Sequence, residues 1–212
     1  MLNLPLMIRN RKNFLMHGIL HVYTQWLLKK TFHQFLFNSI ETDPGKSILL
    51  VANHFSFWDA LILYRINQKL LKKKFHVMVR EDTTQHLHHL KYGGAFSVNK
   101  NSRQMLESLD YAAQLLRDPK NLVLMFPQGK LYSNFAEQVN FEKGIMRIIE
   151  KAGDNFQLVF SATFIQYFRS KRPTITVYLK NADHAGKNLE ELQMAYQQHY
   201  DKAKKEQTEI II

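Results

Sequence analysis

Residues 47–60 read SILLVANHFSFWDA, in which a continuous apolar run from Ser47 to Ala52 leads into a helical pattern from Trp58 to Leu71. A continuous apolar run of this length is typical of a strand that is buried on both faces, as in parallel sheets. Similar runs and helical patterns alternate along the rest of the chain. The runs are Phe75 to Val79, Ala95 to Val98, Asn121 to Phe126, Leu158 to Ile165 and Thr174 to Leu179, and the helical patterns are 103–117, 141–152 and 189–205. This alternation predicts an α/β fold with a mostly parallel, helix-covered central sheet.

The composition favours a globular chain with an anionic partner. Of the 212 residues, 45% are hydrophobic, which is enough to bury one core. The 29 Lys and Arg against 18 Asp and Glu give a net charge of +11, which favours nucleic acid, a lipid headgroup surface or a phosphorylated substrate as partner. The charge alone does not choose among these. The absence of Cys excludes disulfides, thiolate zinc sites and a Cys nucleophile.

The N-terminal 40 residues differ in pattern from the region that follows. An apolar-rich stretch from Phe14 to Phe37 is interrupted too often by polar residues to span a membrane, and no cleavage pattern follows it. On a helix, polar residues at steps of four form one stripe; these are His17, His21, Gln25 and Lys29. We therefore predict an N-terminal amphipathic, membrane-interfacial helical segment in residues 1–40 and an α/β domain in residues 41–212. The alternative is an ordinary amphipathic helix that packs on its own domain.

The junction between the first strand and the first helix carries the candidate chemistry. His54 and Asp59 lie at this junction, and such junctions place side chains at the rim of an α/β sheet, where ligands bind. If the chain turns into the helix between them, the carboxylate reaches one imidazole nitrogen, fixes the tautomer and leaves the other nitrogen as a base. The alternative is a structural His next to a helix-start Asp.

At this point the sequence resembles the glycerolipid acyltransferases, a family that includes the lysophosphatidate and glycerol-phosphate acyltransferases. Asn53, His54 and Asp59 match the family's NH-x4-D signature. Three further blocks resemble the family's motifs in the family's order: residues 94–100 (GAFSVNK), residues 126–129 (FPQG) and residues 141–144 (FEKG).

The resemblance implies a direct acyl transfer in which His54 is the general base and Asp59 orients it. The donor would be acyl-CoA or acyl carrier protein, and the leading acceptor is the lysophospholipid 1-acylglycerol-3-phosphate, in phospholipid biosynthesis at the cytoplasmic face of a membrane, with the protein peripheral or monotopic. The substrate-binding residues implied by the motifs are Asn53, Lys100, Phe126, Pro127, Gln128, Gly129, Lys130, Lys143 and Gly144. No cofactor and no metal are implied, and the run His86-Leu87-His88-His89 has no neighbouring ligand cluster beyond Glu81 and Asp82.

Two departures from the family's pattern leave the acceptor open. Gln128 stands where the family has Glu, and Leu131 stands where it commonly has a phosphate-binding Arg. A glycolipid or aminolipid acceptor is therefore an alternative to a lysophospholipid. Two alternatives to an active enzyme also stay open. The protein could be a family member that has lost activity, or a non-catalytic basic module that binds anionic membrane or nucleic acid. No recognisable nucleic-acid-binding motif accompanies the charge, so we predict no nucleic-acid partner.

Overall fold

The computed structural model describes residues 14–80, 93–98, 102–184 and 188–211, which form a seven-stranded sheet with helices on both faces. The strands are β1 (Gln34–Phe37), β2 (Ser47–Ala52), β3 (Lys74–Arg80), β4 (Ala95–Val98), β5 (Asn121–Met125), β6 (Phe156–Gln166) and β7 (Thr174–Ala182). The helices are α1 (Phe14–Thr31), α2 (Asp59–Ile66), α3 (Ser102–Leu115), α4 (Gly144–Ala152) and α5 (Leu189–Thr208), and a π-helical turn, Asn67–Leu71, follows α2.

The sheet has the order β1-β7-β6-β2-β5-β3-β4 and is mostly parallel, as predicted. Every neighbouring pair is parallel except β6 and β7, which are antiparallel. The five strands from β2 to β6 therefore point the same way, and their carboxyl ends meet at one edge of the sheet. Gly94 sits before β4 with φ +102, and a Cβ there would lie 2.1 Å from the Phe75 carbonyl oxygen, so only glycine fits this close approach.

Strand β2 lies at the centre of the sheet, and every one of its residues is buried. Leu49 and Val51 face a core that includes side chains from α3, α4 and α5. Ile48 and Leu50 face a second core that includes side chains from α1 and α2. Burial on both faces explains why this segment reads as a continuous apolar run rather than an alternating one.

The predicted N-terminal helix is shorter than the apolar stretch that indicated it. Helix α1 ends at Thr31, and the helical interpretation of Gln34–Phe37 is wrong, because these residues form edge strand β1 and pair in parallel with β7. The chain leaves the helix where the His33 N–H donates to the Pro173 carbonyl at 2.8 Å. Arg172 donates from Nη1 to the Lys29 carbonyl at 3.0 Å, which caps the helix end.

Helix α1 packs on the domain through part of its polar stripe. His21 Nδ1 lies 3.1 Å from the Tyr64 hydroxyl of α2, and the His17 ring makes an edge contact with the Tyr64 ring. The opposite side carries large apolar side chains that are more than half exposed: Leu15, Ile19, Val22, Tyr23 and Trp26. One face of α1 thus contacts its own domain, while the apolar face points outward.

Among the described residues, no helix combines the length and apolar content needed to cross a bilayer.

A buried histidine on α5 makes the stability of the fold depend on pH. His199 donates from Nε2 to the Tyr178 carbonyl at 3.0 Å, and burial lowers the pKa of His199 to about 4. The ordinary His pKa of about 6.5 applies in the unfolded chain, so between pH 4 and 6.5 the unfolded state binds more protons. The neutral imidazole therefore stabilises the fold fully above pH 6.5, and this contribution is lost as the pH falls towards 4.

We expect His199→Gln, which keeps a donor for Tyr178 but does not titrate, to remove this pH dependence. Relative to the variant, the wild-type free energy of unfolding should fall by about 3 kcal/mol between pH 7 and pH 4. Urea denaturation of both proteins across this range measures the difference and cancels the contribution of other titrating groups. If the free energies of unfolding of the two proteins differ by the same amount at every pH, His199 is not the source of the pH dependence.

Candidate active site

The candidate site lies where β2 and β5 end side by side. The two strands are hydrogen-bonded neighbours, with Val51 opposite Met125. Beyond β2 the chain enters α2 on one face of the sheet, whereas beyond β5 it leads to α4 on the other face. Adjacent strands whose connections leave to opposite faces open a crevice at their carboxyl ends, which is where α/β proteins bind ligands.

The predicted contact between His54 and Asp59 is present. His54 Nδ1 lies 2.8 Å from Asp59 Oδ2, and the carboxylate is 1% exposed. Backbone N–H groups of Phe55 and Ser56 donate to the same oxygen at 2.7 and 2.9 Å, and the Ser56 hydroxyl donates to Oδ1 at 2.6 Å. Asp59 is also the first residue of α2, where the helix dipole favours negative charge. The carboxylate is therefore held in a single position.

The contact with Asp59 orients the imidazole of His54 and uses Nδ1, but not Nε2. The Asp59 carboxylate accepts from Nδ1–H, so Nε2 keeps a lone pair that can take a proton. The ring stacks on Phe126, with centroids 4.1 Å apart and planes 15° apart, and the side chain remains 26% exposed. A fixed, partly accessible imidazole of this kind can act as a general base.

The loop that follows β5 holds the backbone of His54 from two sides. The His54 N–H donates to Gln128 Oε1 at 2.8 Å, and the Tyr132 N–H donates to the His54 carbonyl at 2.9 Å. Gln128 is only 3% exposed. In this structure Gln128 positions the candidate base, and its predicted contact with substrate stays a prediction.

Asn53 fastens the end of β2 to β6. Its Nδ2 donates to the Thr163 carbonyl at 2.9 Å, and its Oδ1 accepts from the Thr163 N–H at 2.9 Å. Both ends of the amide are thus used within the protein. Asn53 fixes the residue that precedes the candidate base, and a contact between Asn53 and substrate stays a prediction.

The FPQG and FEKG blocks touch each other next to the site. The Glu142 N–H donates to the Pro127 carbonyl at 2.8 Å. Gly129 has φ +66, and a Cβ there would lie 3.3 Å from Glu142 Cγ. Gly144, by contrast, packs against Leu109 of α3, where an added Cβ would lie 3.2 Å from the two methyl carbons. The structure thus gives Gly129 and Gly144 packing roles, and their predicted substrate contacts remain predictions.

The predicted lysines are exposed where they are described. Lys130 lies with Nζ 5.3 Å from the ring centroid of Tyr132, and Lys143 precedes α4. Lys100 and the histidine run from His86 to His89 lie outside the described residues. Within the described ranges, no group of three or more His, Asp or Glu side chains is placed to hold a metal.

A buried tyrosine on α5, Tyr196, contacts β6 at Ser161, which is paired with Ala52 at the end of β2. The Tyr196 hydroxyl donates to the Ser161 carbonyl at 2.8 Å. Burial raises the pKa of the Tyr196 hydroxyl well above its usual range. This phenol therefore stays protonated and supports the sheet instead of exchanging protons with a substrate.

Sequence reasoning missed several residues that hold the site in place, among them Ser56 and Tyr132. A signal for Ser56 was available: Ser56 and Asp59 have the S-x-x-D spacing of a capping box, in which the acidic side chain accepts from the N–H three residues earlier. No comparable signal existed for Tyr132, because it acts through its backbone N–H.

A helix-covered sheet with an oriented imidazole at its crevice is an arrangement suited to general-base chemistry on an acceptor group. The comparison with known families specifies the chemistry. The model of the Acyltransferase family matches residues 29–180, well over half of the chain, from the last turn of α1 into β7. The chain belongs to this family and is an acyltransferase, in agreement with its resemblance to the glycerolipid acyltransferases. A search of curated proteins finds no match to the chain.

Proposed function

We propose that this acyltransferase moves a fatty acyl group from acyl-CoA or acyl carrier protein to a hydroxyl of a lysophospholipid, with 1-acylglycerol-3-phosphate as the leading acceptor, in phospholipid biosynthesis. The observation that carries the proposal is the contact between His54 Nδ1 and a buried, fully hydrogen-bonded Asp59, which leaves Nε2 as the base. His54 and Asp59 would be the catalytic residues.

The proposed reaction is a direct transfer. Nε2 of His54 accepts the proton of the acceptor hydroxyl while the hydroxyl oxygen attacks the thioester carbonyl carbon. The tetrahedral intermediate then collapses, the carbon–sulfur bond breaks, and the departing thiolate takes the proton from the imidazolium. The products are an ester and a free thiol, without an acyl-enzyme and without a metal or cofactor in the proposed path. A base in hydrogen-bond reach typically contributes roughly 10² to 10⁴-fold to such a step.

The basic residues near the site would hold the phosphate of the acceptor. Lys130 follows the FPQG block and Lys143 lies within the FEKG block, and the hydrogen bond from the Glu142 N–H to the Pro127 carbonyl joins these two blocks. Lys100 is assigned the same role by its motif. Lysine binds phosphate as a point charge rather than through a planar fork. The family's Arg would supply such a fork through its guanidinium, but this chain has Leu131 at that position. A glycolipid or aminolipid acceptor is therefore kept as an alternative.

We further propose that the protein acts as a peripheral or monotopic protein at the cytoplasmic face of a membrane with an anionic surface. The outward apolar face of α1 supports this, because large side chains such as Val22 and Trp26 are more than half exposed. Lys29 and Lys30 at the end of the same helix would favour anionic headgroups.

The acceptor is identified by offering the purified protein labelled acyl-CoA or labelled acyl carrier protein with a panel of acceptors. The panel contains lysophosphatidate, a lysophospholipid with a zwitterionic headgroup, a glycolipid and an aminolipid, each dispersed in the same detergent. We expect labelled phosphatidate by mass spectrometry, and a rate at least ~100-fold lower with His54→Ala. Labelled product from another acceptor would change the assigned acceptor lipid but keep the acyl-transfer reaction. Free fatty acid as the only labelled product would reject acyl transfer to a lipid.

A further inference from the structure

Loops at the edge of the sheet that carries His54 expose large apolar side chains. We call Phe57, Leu131, Phe135 and Tyr167 the active-site rim; they are between 57% and 82% exposed. Phe57 follows β2, Leu131 and Phe135 follow β5, and Tyr167 follows β6. These are three neighbouring strands whose carboxyl ends meet at the site.

Contacts within the loops place the rim around the candidate base. Leu131 is next to Tyr132, whose N–H donates to the His54 carbonyl at 2.9 Å. Asn134 donates from Nδ2 to the Ile165 carbonyl at 3.3 Å, which ties the loop of Phe135 to the end of β6 near Tyr167. Phe57 lies inside the turn between His54 and Asp59, and its ring makes an edge contact with Trp58.

The loops that carry the rim are basic overall. Residues 127–143 and 166–173 contain five cationic side chains against two acidic ones; the cations are Lys130, Lys143, Arg169, Lys171 and Arg172, and the acids are Glu137 and Glu142. The turn between β2 and α2 adds no charge besides Asp59, which is buried. Phe and Tyr among Lys and Arg are the composition that favours a membrane interface, where rings enter the headgroup region and cations pair with anionic lipid.

We propose that the active-site rim inserts into the interface of an anionic bilayer, so that the acceptor lipid reaches His54 directly from the lipid surface. This contact is separate from that of α1, because its side chains come from the loops around the base. A lipid fits better than a protein partner, since the apolar side chains stand on three separate loops rather than on one continuous face, and the surrounding charge is positive. The inference rests on the proposed function and deepens it by stating how the acceptor lipid reaches His54.

The test compares Phe135→Ser, Tyr167→Ser and the double variant with Met194→Ser. Met194 is a matched control because it is also a large apolar side chain, 56% exposed, but it belongs to helix α5 and to none of the three loops that carry the rim. Binding is measured by sedimentation with phosphatidylcholine vesicles that contain 30% phosphatidylglycerol or none. Turnover is measured with a long-chain lysophosphatidate embedded in the vesicles and with a short-chain lysophosphatidate that stays monomeric in solution. Thermal melts verify that every variant is folded.

We expect the double variant to bind anionic vesicles at least ~10-fold more weakly and to lose a similar factor in turnover of the embedded acceptor. Turnover of the monomeric acceptor should stay within about twofold, and Met194→Ser should match wild type in every measurement. Unchanged vesicle binding of the double variant would overturn the proposal, above all if Trp26→Ser on α1 abolishes binding. If the wild type acylates no acceptor at all, the proposed function fails, and the binding comparison still decides whether the rim contacts lipid.

Discussion

Replacing His54 by alanine should lower the rate of acyl transfer by roughly 10² to 10⁴-fold, because the acceptor hydroxyl loses the base that takes its proton. The fold should survive this change. The contacts that position residue 54 in the chain are made by its backbone, through the N–H to Gln128 and the carbonyl to Tyr132. The ring itself is partly exposed and stacks on Phe126. It also donates to Asp59 Oδ2, but this oxygen keeps the Phe55 and Ser56 N–H donors when the ring is removed. Steady-state kcat with a soluble acceptor measures the loss.

His184→Ala provides a matched control for this experiment. The His184 ring stacks on Phe156 with centroids 4.2 Å apart and planes 11° apart, nearly the same arrangement as His54 on Phe126. Phe156 begins β6, so this stack lies at the opposite edge of the sheet. We expect wild-type kcat from His184→Ala and similar melting temperatures for both variants. Added imidazole should restore part of the rate of His54→Ala, since the removed ring leaves a space of its own shape. A folded His54→Ala enzyme with the wild-type rate would remove His54 from the mechanism.

The sequence predicted most of the sheet because its strands carry strong local patterns. The central strands are apolar on both faces, and the run from Ser47 to Ala52 could be identified without knowing its neighbours. Strand β1 was missed because its four residues, Gln34–Phe37, are short, half exposed and continuous with an apolar helix. Its partner β7 lies about 140 residues later in the chain, so only tertiary pairing decides that the segment leaves the helix.

The spacing of His54 and Asp59 predicted their contact, but not the way in which it is held. The five-residue separation says that the two groups can meet, whereas the donors from Phe55 and Ser56 depend on the path of the turn. The role of Gln128 could not be predicted from the sequence either, because its side chain contacts a backbone N–H that lies 74 residues earlier in the chain. Motif resemblance places residues in one site, and it does not separate those that would touch substrate from those that position the base.

Asp59→Asn should lower kcat by up to roughly 10² to 10⁴-fold, which is the contribution of the general base, because the imidazolium loses its counter-charge. In the wild type, three N–H donors converge on Oδ2, from His54, Phe55 and Ser56. An asparagine can place its oxygen at that point and its amide nitrogen beside the Ser56 hydroxyl, so the turn and the imidazole tautomer are largely retained. The negative charge is lost, however, and with it the stabilisation of the imidazolium that forms when His54 takes the proton.

Ser56→Ala separates the charge of Asp59 from its positioning. This variant removes the hydroxyl that donates to Oδ1 at 2.6 Å but keeps the carboxylate and its three N–H donors. We expect Ser56→Ala to lose at most about tenfold in kcat, far less than Asp59→Asn, because a buried carboxylate with its other donors stays in place. Both variants should bind the acyl donor with unchanged KM, since neither alters the surface of the crevice. If Asp59→Asn loses no more activity than Ser56→Ala, the carboxylate only positions the turn, and the charge of Asp59 has no part in the proton transfer.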